Sequence, residues 1–246
     1  MTQPVFDYAP PLPTDSRPWR TVTRWLLVIN VAIFVIDLAL GWAGYARVMT
    51  RSNGEIILHA VDSAHVAAVG QLPFNSFAYF SVDKAIVGGQ VWRFFTYQFV
   101  HANIEHVALN MLGLLLAGPV VEQRLGRSRF LLFYLLCGAA GPAAHIALSM
   151  LGVTMLNVYT PLVGASASIY GTLIAAAAIA PDEIVELALP PIDLKLRTFA
   201  LLMVALSLFA VSWRWQNAGG HAAHLGGALA AWFLSRKLRP PLTGPT

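Results

Sequence analysis

Charge is what this sequence lacks most. Of its 246 residues only 11% are charged, while 57% are hydrophobic and the mean hydropathy is +0.63. A soluble domain carries about 25% charged residues, so a water-coated globule is excluded. A polytopic membrane protein is expected instead, one compact bundle rather than several domains. Cysteine is almost missing too. Cys137 stands alone inside an apolar run, which excludes an internal disulfide and reads as a buried packing thiol. Internal repeats and low-complexity runs are also lacking. Without an inverted repeat or paired broken helices, a transporter has little support. The net charge of +4 and the pI near 9.5 do not point to nucleic acid. The basic residues flank apolar stretches instead of forming one patch, so no nucleic-acid partner is expected.

What is present is a series of apolar stretches. Residues 1–20 are rich in proline and polar side chains and read as a flexible tail. Six candidate spans follow, at about Trp25–Trp42, His101–Val121, Phe130–Leu151, Ser166–Ala180, Thr198–Trp213 and Ala218–Leu238. Together they define an all-α, six-span domain over 21–239, with 240–246 left as a short C-terminal tail. A helix needs about 20 residues to cross a hydrocarbon core of about 30 Å. The fourth and fifth spans are shorter, so protein rather than lipid is expected around their ends. The motif "GYA" at 44–46 has the look of a cleavage site. The apolar run before it is too long for a signal-peptide core and lies behind a 20-residue tail, so it reads as a retained span.

Orientation follows from Lys and Arg. With the N-terminus inside, eleven fall on inner segments, among them Arg24, Arg124, Arg127, Arg129 and Lys195, and five on outer ones. Both termini are therefore expected in the cytoplasm, as six spans require. The long outer loop, about 43–91, mixes aromatic and polar residues as an interfacial segment would.

Ionisable residues inside spans are costly and usually mark function. Asp37 lies near the outer end of its span, where an interfacial position accounts for it. His145 reads as structural, bonded to a backbone carbonyl within the bundle. His106 and Asn110 are four apart and share a helix face. Packing, a cofactor, a metal or a developing oxyanion would each suit that pair. In "AGGHAAHLGGALAAW", His224 shares a face with Gly220, Gly227, Ala228 and Ala231. That face is nearly bare, so a neighbouring helix can come very close. The fourth span is the best candidate for that neighbour, and it begins "GASASIYG" at 164–171. A serine at a helix start is ordinarily an N-cap. The same place also offers free N–H groups and the positive end of the dipole to nearby negative charge. If His224 meets Ser166, the two make a nucleophile and its general base, with His106 and Asn110 as oxyanion donors. No acidic residue in a span is placed to orient His224, which makes this a dyad. Tyr170, one turn beyond Ser166, could orient the imidazole by stacking. A rival metal site of His106, His221 and His224 finds no carboxylate or thiol to complete it and leaves "GASAS" unexplained. No metal and no cofactor are expected.

With these motifs in hand, the chain resembles the rhomboid intramembrane serine proteases. "HANIEHVALN", "GASAS" and "AHLGG" occur in that order on the second, fourth and sixth spans, with "VWRFFTYQFVH" and "GPVVEQRLG" flanking the second. The resemblance covers roughly residues 20–238. It implies that Ser166, third in a Gly-x-Ser-x motif beginning at Gly164, is the nucleophile and His224 the base. It also implies that His106, Asn110 and the backbone N–H of Ser166 form the oxyanion hole, and that Tyr170 packs on the catalytic histidine. Gly227 would let the fourth and sixth helices touch, and His101 would have a supporting or water-access role. Trp92 and Arg93 match a pair in the first loop, and Glu122 and Arg124 a polar cluster at the inner end of the second span. Implied substrates are single-span membrane proteins in the bilayer, cut in or near the span. Two positions depart from the family pattern: Ala167 and Ala231 stand where glycine is common. Both are small, and activity is expected to survive them. The short tails favour a bacterial inner membrane. The physiological substrate and the oligomeric state are not legible in the residues.

Overall fold

The computed structural model of the chain describes residues 21–40, 47–52, 55–60, 73–154, 158–188, 191–215 and 217–235. The expected tails at 1–20 and 240–246, and parts of the 43–91 loop, lie outside the described residues.

Among the described residues, six helices of 14 residues or more lie on the apolar stretches. They are α1 (Val22–Leu40), α4 (Ile104–Leu125), α5 (Arg127–Met150), α6 (Ser166–Ile179), α7 (Leu196–Ser212) and α8 (Ala218–Ser235). Between α1 and α4 lie two short helices, α2 (Pro73–Ala78) and α3 (Arg93–Thr96), and a π turn at Asp83–Val87. Two antiparallel hairpins modify the all-α expectation. Strands β1 (Arg47–Ser52) and β2 (Glu55–Ala60) pair with Arg47 opposite Ala60. Strands β3 (Ile184–Ala188) and β4 (Pro191–Lys195) pair with Ile184 opposite Lys195, in the connection from α6 to α7. Both hairpins lie between the long helices, so the fold remains a helical membrane bundle. Among the described residues, α1, α4 and α5 are long and apolar enough to cross a membrane, while α6 and α7 are shorter apolar helices.

The centre of the bundle is α6, which packs against α4, α5, α7 and α8. Its sequence "SASIYGTLIAAAAI" has no polar face, which suits a helix surrounded by protein. Being enclosed, it can begin and end below the membrane surface without exposing its ends to lipid. Helix α1, by contrast, touches mainly α4 and leaves all but one of its Leu, Val and Ile side chains at least partly exposed. Outward apolar residues are what lipid requires and need no partner.

Polar side chains fix the elements that packing does not. At one end of α1, Glu122 accepts the backbone N–H groups of Val22 (2.7 Å) and Thr23 (2.9 Å) and the Thr23 hydroxyl (2.6 Å). A carboxylate from the last turns of α4 thus caps the first turn of α1, satisfying donors the helix cannot satisfy itself. At the other end, Asp37 is 1% exposed, which corrects the interfacial expectation. It accepts from the N–H of Phe74 (2.7 Å) and of Asn75 (3.0 Å) and from the Asn75 amide (2.8 Å). The Asn75 amide also donates to the His101 carbonyl, so α1, α2 and the approach to α4 are tied together. In the loop, Arg93 donates to Gln90 Oε1 and to the carbonyls of Tyr79 and Ser76, while Trp92 stacks on Phe77. The connection before α4 is therefore a braced unit over 73–100.

Candidate active site

The site is built where α4, α6 and α8 meet. Asn103 caps α4 by accepting the His106 backbone N–H at 2.8 Å, which sets the first turn carrying His106 and, one turn on, Asn110. Ser166 is the first residue of α6, and the chain enters it through Gly164 at φ +107°. Few side chains tolerate that backbone. Space excludes them as well, because a Cβ on Gly164 would come within 2.6 Å of the His106 ring. The Gly164 N–H is held by the Tyr97 carbonyl at 2.9 Å. Gly164 therefore brings the start of α6 directly against the His106 and Asn110 face of α4.

Helix α8 meets α6 backbone to backbone. A Cβ on Gly227 would collide with the Ala167 carbonyl, so only glycine permits this crossing. One turn away, His224 Nε2 lies 2.8 Å from Ser166 Oγ. The ring of Tyr170 lies flat against His224, with centroids 4.2 Å apart and planes 16° from parallel. A serine hydroxyl at hydrogen-bond distance from an imidazole is the geometry that general-base activation needs. Asn110 is buried, and its Nδ2 has no hydrogen-bond partner among the described residues. A buried amide left unbonded costs free energy, and this one lies beside Gly164 at the mouth of α6.

The structure thus brings Ser166, His224, Tyr170, His106, Asn110, Gly164 and Gly227 into one place. His101 is fully buried at the edge, its ring 5.2 Å from that of His106, and neither of its ring nitrogens has a partner among the described residues. His145 differs from expectation. It is buried, but its nitrogens meet no carbonyl or other partner among the described residues. Ser168 points away from the site and donates to Gln98 at 2.7 Å. Among the described residues no three His, Cys, Asp or Glu side chains gather as a metal site requires.

Sequence reasoning missed one participant. Ser207 of α7 lies fully buried behind His224, its Oγ 3.4 Å from His224 Nδ1, 3.2 Å from His221 Nδ1 and 3.2 Å from the Tyr170 hydroxyl. It is the sole polar side chain between Phe199 and Val211, but the sequence does not show which neighbour it faces.

Comparison with known proteins gives the family. A model of the Rhomboid domain matches residues 88–241, a range that holds every residue of the site. Rhomboid-related protein 3 of Homo sapiens is 30% identical over 201 residues, covering 82% of this chain and 40% of that protein. Rhomboid protease GluP of Bacillus subtilis is 31% identical over 168 residues, 66% of this chain and 29% of that one. RHOMBOID-like protein 1 of Arabidopsis thaliana is 26% identical over 165 residues, 65% of this chain and 40% of its own length. The matched region thus spans well under half the length of these relatives. A domain match over most of the chain, enclosing a serine and a histidine joined across two helices, leaves one assignment: the chain belongs to the rhomboid family.

Proposed function

We propose that this protein is an intramembrane serine endopeptidase that cleaves single-span membrane proteins in or near their transmembrane segment. The observation that carries the reading is the 2.8 Å contact between Ser166 Oγ and His224 Nε2, with the imidazole lying against Tyr170. Ser166 gives its proton to His224 Nε2 as Oγ attacks the scissile carbonyl carbon. The oxygen becomes an oxyanion facing His106, the Asn110 amide and the Ser166 N–H, donors directed at charge that develops only in the transition state. The imidazolium then protonates the leaving amine as the C–N bond breaks. Water, deprotonated by the same His224, hydrolyses the acyl-enzyme and frees Ser166. No cofactor enters this scheme. The unbonded Asn110 Nδ2 supports the oxyanion assignment, since a partnerless donor at that spot gains a bond as the charge forms.

The membrane arrangement is part of the same reading. Six spans with both termini in the cytoplasm agree with the Lys and Arg distribution. The capping of Val22 by Glu122 agrees as well, since it sets the start of α1 beside the end of α4. A bacterial inner membrane is the proposed location.

The test is labelling of the detergent-purified protein with a fluorophosphonate, alongside cleavage of a model single-span substrate. Both signals should vanish in Ser166→Ala and in His224→Ala, while His221→Ala retains measurable turnover. Cleavage that persists in Ser166→Ala would end the proposal. Labelling without cleavage of any single-span substrate would favour a client-binding relative instead.

A further inference from the structure

We propose that Ser207 is a positioning residue for His224, its hydroxyl accepting Nδ1–H so that Nε2 is left free to take the proton of Ser166. The inference rests on the protease reading and extends it. A neutral imidazole can accept at Nε2 only in the tautomer that carries its proton on Nδ1. That N–H needs an acceptor, and among the described residues no carboxylate is placed to supply one. Ser207 Oγ, 3.4 Å from Nδ1, is in line to do so. The distance is long for a resting hydrogen bond. Such bonds tighten in the reacting complex, and this one strengthens once the ring becomes an imidazolium.

The bland reading of a serine in an apolar helix is a hydroxyl bonded back to the carbonyl one turn earlier. Ser207 departs from it, because its Oγ converges with three groups from two other helices. Its single proton has an acceptor of its own in the Tyr170 hydroxyl or His221 Nδ1, both at 3.2 Å, which leaves its lone pairs for His224. Tyr170 therefore acts twice, stacking on the ring of His224 and bonding the residue that holds its edge. The base is steadied on its face from α6 and on its rear nitrogen from α7. His221, whose ring centroid is 5.3 Å from that of His224, enters as a partner of Ser207 rather than as a second base. This accounts for two histidines in "HAAH" with one nucleophile.

A neutral hydroxyl is a weaker orienting group than the carboxylate of a Ser-His-Asp triad, whose alteration costs about 10⁴ in kcat. One neutral hydrogen bond, worth about 1 kcal/mol, corresponds to a factor of about five to ten. The full chain in detergent is assayed against a model single-span substrate, with fluorophosphonate labelling in parallel. Ser207→Ala should lower kcat about tenfold with KM within about twofold, and slow labelling of Ser166 by a similar factor. Ser207→Thr, which keeps the hydroxyl, should recover most of the loss. If either Ala or Thr fails to fold, judged by its thermal transition, Ser207→Cys replaces it and should fall between parent and a hydroxyl-free site. Parental kcat in Ser207→Ala overturns the inference, as does a Thr variant that folds but is as slow as Ala, or a loss expressed in KM alone. None of these outcomes touches the dependence of the parent on Ser166. Cleavage that survives Ser166→Ala removes the protease reading itself.

Discussion

Helices α1 and α6 are both apolar, yet they are held by opposite means. Only four of the 19 residues of α1 are buried, and three of those four are polar: Thr23, Asn30 and Asp37. In α6 nine of 14 residues are buried, most of them small or apolar. In lipid a leucine gains nothing by leaving the acyl chains for another helix, so apolarity alone does not decide where a helix sits. Helix α1 is located by a carboxylate near each end, Glu122 capping its start and Asp37 gripping the loop beyond. Helix α6 is located by shape, with bare faces letting α4 and α8 approach its backbone. The site uses the second kind of contact. Distances set by backbone contact tolerate no drift, while hydrogen bonds at the periphery can be lost one by one.

This contrast can be broken from either side. The largest effect should come from Gly227→Ala, whose new methyl meets the Ala167 carbonyl. Overpacking against backbone should cost about 3 kcal/mol or more, seen as a lower thermal midpoint together with loss of fluorophosphonate labelling. Glu122→Ala should come next, at about 2–3 kcal/mol, because it leaves buried N–H groups of Val22 and Thr23 unpaired. Its signature should be different: faster proteolysis at α1, with Ser166 in the surviving folded protein still labelled. Equal loss of labelling in both variants would erase the distinction between the two helices. Asp37→Asn should be milder, about 1–2 kcal/mol, since one oxygen remains to accept from Phe74 or Asn75. The smallest effect belongs to the connection from α6 to α7. There Lys195, by hydrogen bond and charge, and Arg197, by charge, hold the Asp182 carboxyl below the usual carboxylate range. A depressed value means any stabilisation is present at neutral pH and is lost only on acidification through that lowered value. The pair lies at the surface, so Lys195→Ala should leave the thermal midpoint, and its change between pH 7 and 5, indistinguishable from the parent's.

The contrast also explains what could be read in advance. Ser166, His224, His106 and Asn110 stand out because polar residues are rare in spans, and helical spacing places each on a face. The helix positions followed from the apolar runs, although α1 starts three residues earlier than expected, at Val22, where Glu122 supplies the cap. Asp37 was misread as interfacial because its partners, Phe74 and Asn75, are 37 and 38 residues away. Ser207 was invisible for a related reason. A lone serine in an apolar helix carries no label, and its meaning depends on how α7 is rotated against α8. The hairpins at 47–60 and 184–195 were missed because alternation over five or six residues is a weak signal beside long apolar runs.

The Asn110 amide, without a hydrogen-bond partner among the described residues, has a consequence for the pharmacology of the site. On the protease reading, a site with a donor left for developing charge discriminates among inhibitors by the charge they place there. If Ser166 is the nucleophile as proposed, warheads that form a tetrahedral adduct on it, such as phosphonates and boronates, should outrank planar acylating agents of equal size. Asn110→Ala should flatten that ranking more than it weakens any single compound.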